Sequence, residues 1–177
     1  MRSFIAVELP DGILGRVSEA QAKLPQGLRP VSQKNMHITL AFLGEISEER
    51  AREVSAAMGA LDCSAFPLSC AGLGAFPSRK SARILWAGIE SPGLLKLQKG
   101  LEQKLSGLGF EKGDFTPHMT IARAKSQASL DSLLEKYSGF QFGSCTISSI
   151  FLKKSTLAPE GPVYETLYEH RLRSVKI

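Results

Sequence analysis

The chain is poor in the residues that build metal centres and disulfide frameworks: of its 177 residues only three are histidine and three are cysteine. Cys63, Cys70 and Cys145 are odd in number, show no Cys-x-x-Cys spacing and have no histidine beside them. That pattern argues against a disulfide framework and a structural zinc site, and leaves reduced, mostly buried thiols as the expectation. No stretch approaches the ~20 apolar residues needed to span a bilayer. The opening run Phe4-Ile5-Ala6-Val7 is interrupted by Glu8, too short for a signal peptide, so a cytoplasmic protein without a membrane partner is expected. No five basic residues follow one another, which gives no indication of a nucleic-acid-binding tail.

What is present describes a globular protein, with 43% hydrophobic and 22% charged residues. The length suits a single domain over 1–177, with one sizeable core or two small, closely packed lobes, and a monomer with no obligate protein partner is expected. A formal charge of +5 and a pI of about 9.2 favour anionic partners such as nucleic acid, although such a balance also serves plain solubility.

Strand-like and helix-like patterns alternate. Phe4 to Leu9 reads as a strand stopped by Pro10-Asp11-Gly12; Ile13, Leu14, Val17, Ala20 and Leu24 then recur at helical spacing until Pro25-Gln26-Gly27. Met36 to Leu43 reads as a strand. Ser47 followed by Glu48 and Glu49 reads as a capped helix start, the helix running to about Leu61. Phe66 to Leu73 and Ala82 to Ile89 form a strand pair, and Leu94, Leu97, Leu101 and Leu105 a helical stripe ended by Gly107-Leu108-Gly109. His118 to Ala122, Ser144 to Lys153 and Val163 to Arg173 are further strands, with a helix over Ser129 to Tyr137. The fold class is α+β: two pseudo-symmetric lobes, mainly antiparallel sheets lining a central cleft, helices outside.

The few histidines are placed tellingly. His37-Ile38-Thr39-Leu40 and His118-Met119-Thr120-Ile121 are near copies, 81 residues apart. On a strand each histidine shares a face with its threonine while the apolar pair packs on the other. Phosphoryl transfer needs groups on opposite sides of phosphorus, and two imidazoles with unperturbed pKa values of ~6.5 can deprotonate a water and protonate a leaving oxygen. Thr39 and Thr120 would donate hydrogen bonds to the non-bridging oxygens. Neither strand carries an Asp or Glu at the i+2 position, so metal dependence is disfavoured, and no nucleophile signature lies near either histidine. His170 has no such setting and reads as surface or packing. Phe42 and Trp86 are expected in the core, with base stacking the alternative; Arg79, Lys80, Lys153 and Lys154 read as phosphate contacts or as ordinary surface charge.

These residues resemble the two-histidine phosphoesterases, and among them the RNA 2′,3′-cyclic phosphodiesterases. The resemblance runs through Arg2-Ser3-Phe4-Ile5-Ala6-Val7-Glu8-Leu9-Pro10, Asn35-Met36-His37-Ile38-Thr39-Leu40-Ala41-Phe42-Leu43-Gly44, Arg83-Ile84-Leu85-Trp86-Ala87-Gly88, Phe115-Thr116-Pro117-His118-Met119-Thr120-Ile121-Ala122-Arg123 and Gly161-Pro162-Val163-Tyr164. It implies a bilobal fold with a basic cleft that hydrolyses a 2′,3′-cyclic phosphate at an RNA 3′ end without metal or cofactor. His37 would protonate the departing 3′ oxygen and His118 would activate water, an allocation that could be swapped, and Arg123 would sit near the phosphate. Similarity to enzymes described as 2′-5′ RNA ligases makes ligation a side activity to consider. A non-catalytic binding module and a phosphoesterase for small cyclic nucleotides are the alternatives. Arg123 poses a puzzle, since five residues from His118 strict alternation would place it on the opposite face. A strand end or bulge after Ala122, or a reach around the rim, would resolve it.

Overall fold

The computed structural model describes residues 1–174, so the last three residues of the expected 1–177 domain lie outside the described range. In chain order the elements are β1 (Arg2–Val7), α1 (Asp11–Gln21), β2 (Leu28–Pro30), a 3₁₀ turn (Gln33–Asn35), β3 (Ile38–Glu45), α2 (Glu48–Gly59), β4 (Phe66–Phe76), β5 (Ala82–Glu90), α3 (Pro92–Gly107), β6 (His118–Ala128), α4 (Asp131–Lys136), β7 (Gln141–Ile147), β8 (Ser149–Ala158) and β9 (Gly161–Arg171). Among the described residues no helix is long and apolar enough to cross a membrane.

The helices form for local reasons. Ser47 Oγ accepts from Arg50 N–H at the start of α2, and Ser91 Oγ accepts from Leu94 N–H at the start of α3, where Pro92 also needs no partner for its missing N–H. Leu94, Leu97, Leu101 and Leu105 are buried as one stripe, each stabilising the fold by about 1.5–3 kcal/mol relative to exposure.

The strands make two sheets, ordered β3-β1-β8-β9 and β2-β6-β5-β4-β7, with every pairing antiparallel. Leaving aside β2, the second order β6-β5-β4-β7 mirrors the first, since each motif strand pairs with the strand that precedes it across a helix. The registers agree too. Ala6 pairs Thr39 and Ile5 pairs Ala41, while Trp86 pairs Thr120 and Leu85 pairs Ala122. One extra residue, Leu40 or Ile121, therefore bulges at the same place in both lobes, a two-fold relation that the faint identity between the halves does not reveal.

Three expectations change. Ser144 to Lys153 is not one strand: β7 and β8 break at Ser148 and belong to different sheets. Ile147 and Ile150 are both buried at a spacing of three, which a single alternating strand cannot achieve. The segment between Gly27 and Met36, to which the sequence assigned no element, holds β2 and the 3₁₀ turn, and β6 runs on to Ala128 instead of ending at Ala122. The fourth helix is shorter than Ser129 to Tyr137 by a few residues, within ordinary end fraying.

Candidate active site

His118 opens β6 and His37 immediately precedes β3, and these two strands belong to different sheets and lie against each other. His37 Nδ1 is 2.8 Å from the carbonyl oxygen of Asn35, and His118 Nδ1 is 2.6 Å from that of Thr116. A carbonyl only accepts, so each Nδ1 carries the hydrogen and donates it. Nε2 is left free on both rings to give or take a proton. Each ring is also braced by two aromatics. Phe4 and Tyr164 lie 4.8 and 5.2 Å from His37, and Phe76 and Trp86 lie 5.1 and 6.2 Å from His118, centroid to centroid. The Trp86 ring covers Gly74, where a side chain would overlap the indole. Trp86 is thus neither a free stacking platform nor a core residue remote from the site.

Thr39 and Thr120 are half-buried, two residues from their histidines and on the same face. The Ile121 bulge answers the puzzle of Arg123. Ile121 and Ala122 are both buried, so alternation slips by one residue and Arg123 returns to the face of His118 and Thr120. The extra residue stands before Ala122, not after it, and the strand continues. The bulge is held from outside: Ile121 O accepts from Val31 N–H at 2.8 Å and from Gln21 Nε2 at 2.6 Å, while the same amide donates to Val31 O at 2.8 Å.

Charge is distributed unevenly around His37. Burial holds its pKa below the ordinary 6.5; the Asn35 carbonyl and Glu8 oppose this, whereas the Lys153 and Arg123 cations add to it. Arg123 therefore reaches the surroundings of the histidine in the opposite lobe. Burial likewise raises the Tyr164 phenol, with Arg123 and Arg2 pulling it back. Lys153 is only 8% exposed and bonds Glu8 Oε1 at 2.5 Å and Thr166 Oγ1 at 3.2 Å. It is a buried partner of Glu8 and not a free phosphate contact. Arg79 pairs with Asp131 at 3.0 Å and Lys154 with Glu165 at 3.9 Å, which leaves neither as an unpaired cation. Phe42, expected in the core, is 79% exposed and occupies the position in β3 that Arg123 occupies in β6.

His170 lies on β9 opposite Ile150, half-buried, in keeping with a packing role. Cys70 is buried and its thiol is pushed up to about 12, so it is inert. Among the described residues no three His, Cys, Asp or Glu side chains converge as a metal site.

The model of the LigT like Phosphoesterase family matches residues 7–86 and 89–164, which takes in both histidine motifs. The chain belongs to the LigT-like phosphoesterase family. A curated relative from Methanocaldococcus jannaschii, named RNA 2′,3′-cyclic phosphodiesterase, is 36% identical over 96% of this chain and 99% of its own. A solved structure from Thermus thermophilus superposes with a TM-score of 0.86 at 33% identity, covering 98% of this chain and 99% of that one. E. coli LigT solved with 3′-AMP gives a TM-score of 0.82 at 30% identity, with 97% of each chain covered. Within this LigT-like chain, sequence reasoning missed Gln21, Phe4, Phe76 and the Glu8–Lys153 pair. Their link to the histidines runs through pairings distant in sequence, and no local pattern announces them.

Proposed function

We propose that this phosphoesterase hydrolyses the 2′,3′-cyclic phosphodiester at an RNA 3′ end to a 2′-phosphomonoester, with His37 as general acid and His118 as general base. The observation that carries the reading is the matched pair of imidazoles, each pinned through Nδ1 to the carbonyl two residues earlier, each beside a threonine, on strands that meet from two lobes. The names of the relatives, and the 3′-AMP complex of E. coli LigT, support the substrate class.

In this reading water attacks phosphorus as His118 Nε2 takes its proton. The bond from phosphorus to O3′ breaks, and His37 Nε2 protonates the departing oxygen. Thr39, Thr120 and Arg123 hold the non-bridging oxygens, and no metal is required. Burial and the cations of Lys153 and Arg123 keep His37 neutral in the free enzyme. An anionic phosphate offsets those cations, so His37 gains its proton as substrate arrives. Exposed Phe42 supplies a face on which the terminal base stacks.

The test is an assay in chelator on a cyclic-phosphate-terminated oligonucleotide and on a cyclic mononucleotide, with His37→Ala and His118→Ala. Each substitution lowers turnover by about 10²-fold or more. An aryl phosphodiester with a nitrophenol leaving group, which needs no protonation, restores much of the rate to His37→Ala but not to His118→Ala. The reverse rescue swaps the two roles, and near-normal turnover in both variants defeats the mechanism.

A further inference from the structure

The cleft face of the second sheet carries more positive charge than the terminal phosphate requires. Strand β2 lies at the sheet edge beside β6, and its register sets Arg29 directly opposite Arg123. Directly opposed residues in an antiparallel pair share a face, so Arg29 stands on the same face as Arg123, one strand further out than the strand that carries His118. Lys125 follows Arg123 by two residues and by alternation takes that face as well, its N–H bonded to Gly27 O at 3.1 Å just before β2. All three side chains are exposed, and among the described residues none forms an ion pair. By contrast Arg79, Lys153 and Lys154 each have a carboxylate partner. Like charges directly opposed across a ladder destabilise it, and an anion lying between them removes the repulsion.

We infer that Arg29, extended by Lys125, binds the internal phosphodiester on the 5′ side of the reacting end, making β2 an edge-strand subsite for the body of the RNA. The inference rests on the proposed function, because it takes Arg123 as the contact to the terminal phosphate. Arg29 lies beyond Arg123 as seen from His118, so it addresses a group that an oligonucleotide possesses and a mononucleotide lacks. Guanidinium forks suit phosphate oxygens. This subsite would make the enzyme prefer an RNA end to a free cyclic nucleotide.

The experiment compares Arg29→Gln and Lys125→Gln with wild type on a cyclic mononucleotide and on a trinucleotide with the same terminal base. For Arg29→Gln, KM for the trinucleotide rises about tenfold, as for loss of a charged hydrogen bond, and mononucleotide turnover is unchanged. The salt dependence of trinucleotide binding falls by about 0.7 in log–log slope, the share of one single-strand phosphate. Equal losses on both substrates, or none on either, overturn the inference. If wild type turns over neither substrate, the proposed function fails while the inference is still read from binding. A trinucleotide carrying a plain 3′-phosphate then binds Arg29→Gln more weakly, whereas a nucleoside monophosphate does not distinguish it from wild type. Equal affinity for that trinucleotide overturns the subsite. A thermal midpoint that does not fall in either variant excludes misfolding as the cause.

Discussion

Replacing Gln21 by methionine removes the amide that clamps the Ile121 bulge while keeping most of the side chain's length. Two hydrogen bonds disappear, to Ile121 O at 2.6 Å and to Val31 O at 2.8 Å. Ile121 O keeps its bond from Val31 N–H, so the bulge loosens without leaving that carbonyl orphaned. At a net ~0.5–1.5 kcal/mol per bond the loss is about 1–3 kcal/mol. A chain of this size should then melt about 2–12 °C lower. The bulge itself survives, because regular pairing would turn Arg123 toward the buried face and strand its charge there. The functional effect is therefore a looser Arg123: KM rises, by less than in Arg123→Ala, and kcat changes little. In the double variant Gln21→Met/Arg123→Ala, KM should match Arg123→Ala alone, since the clamp acts through the arginine. Steady-state kinetics and thermal melts on the four proteins decide it. A lowered midpoint with unchanged KM, or fully additive KM effects, refutes the link from clamp to bulge to arginine.

Gly74→Ala drives a methyl group into the Trp86 indole, at a cost of about 1–3 kcal/mol for overpacking. It shifts the ring against Phe76 and His118, so kcat falls and the emission of the single tryptophan changes; an unaltered spectrum with full activity would show that the ring has room. Lys153→Met takes a cation from beside His37 and leaves Glu8 unneutralised, and both changes raise the His37 pKa, measurable by NMR titration of the imidazole. A fall in that pKa would contradict the charge arrangement. His37 and His170 both have folded pKa values below 6.5, so the unfolded chain binds more protons under mild acid. Their stabilising contribution is present above about pH 6.5 and is lost as pH falls toward the folded values. Denaturant melts between pH 8 and 5 should show this loss, and His37→Gln should flatten it; an unchanged slope would show that His37 is protonated equally in both states.

Alternation, caps and turn residues are local signals, and the features they govern were legible in the chain itself. The helix start at Ser47 and the Leu94 to Leu105 stripe are of that kind, as are the two motif strands with each threonine on its histidine's face. The repeated tetrapeptide also sufficed to single out the histidine pair proposed to be catalytic, because side-chain order along a strand is set by its period of two. What depended on pairing between distant segments was not legible. Two bulges, visible only in the registers of β1 with β3 and β5 with β6, put Arg123 and Phe42 at equivalent places. The chain crosses between sheets at Ser148, a break that no glycine or proline marks. Lys153 reads as a phosphate contact or as surface charge until Glu8, far away in sequence, pairs with it beside His37. The three-residue strand β2 is too short for any periodicity, yet its register sets Arg29 opposite Arg123. Local chemistry determined which residues are candidates to act on a phosphate, and long-range register alone decided which charges surround them, because a shift of one residue turns every later side chain to the other face.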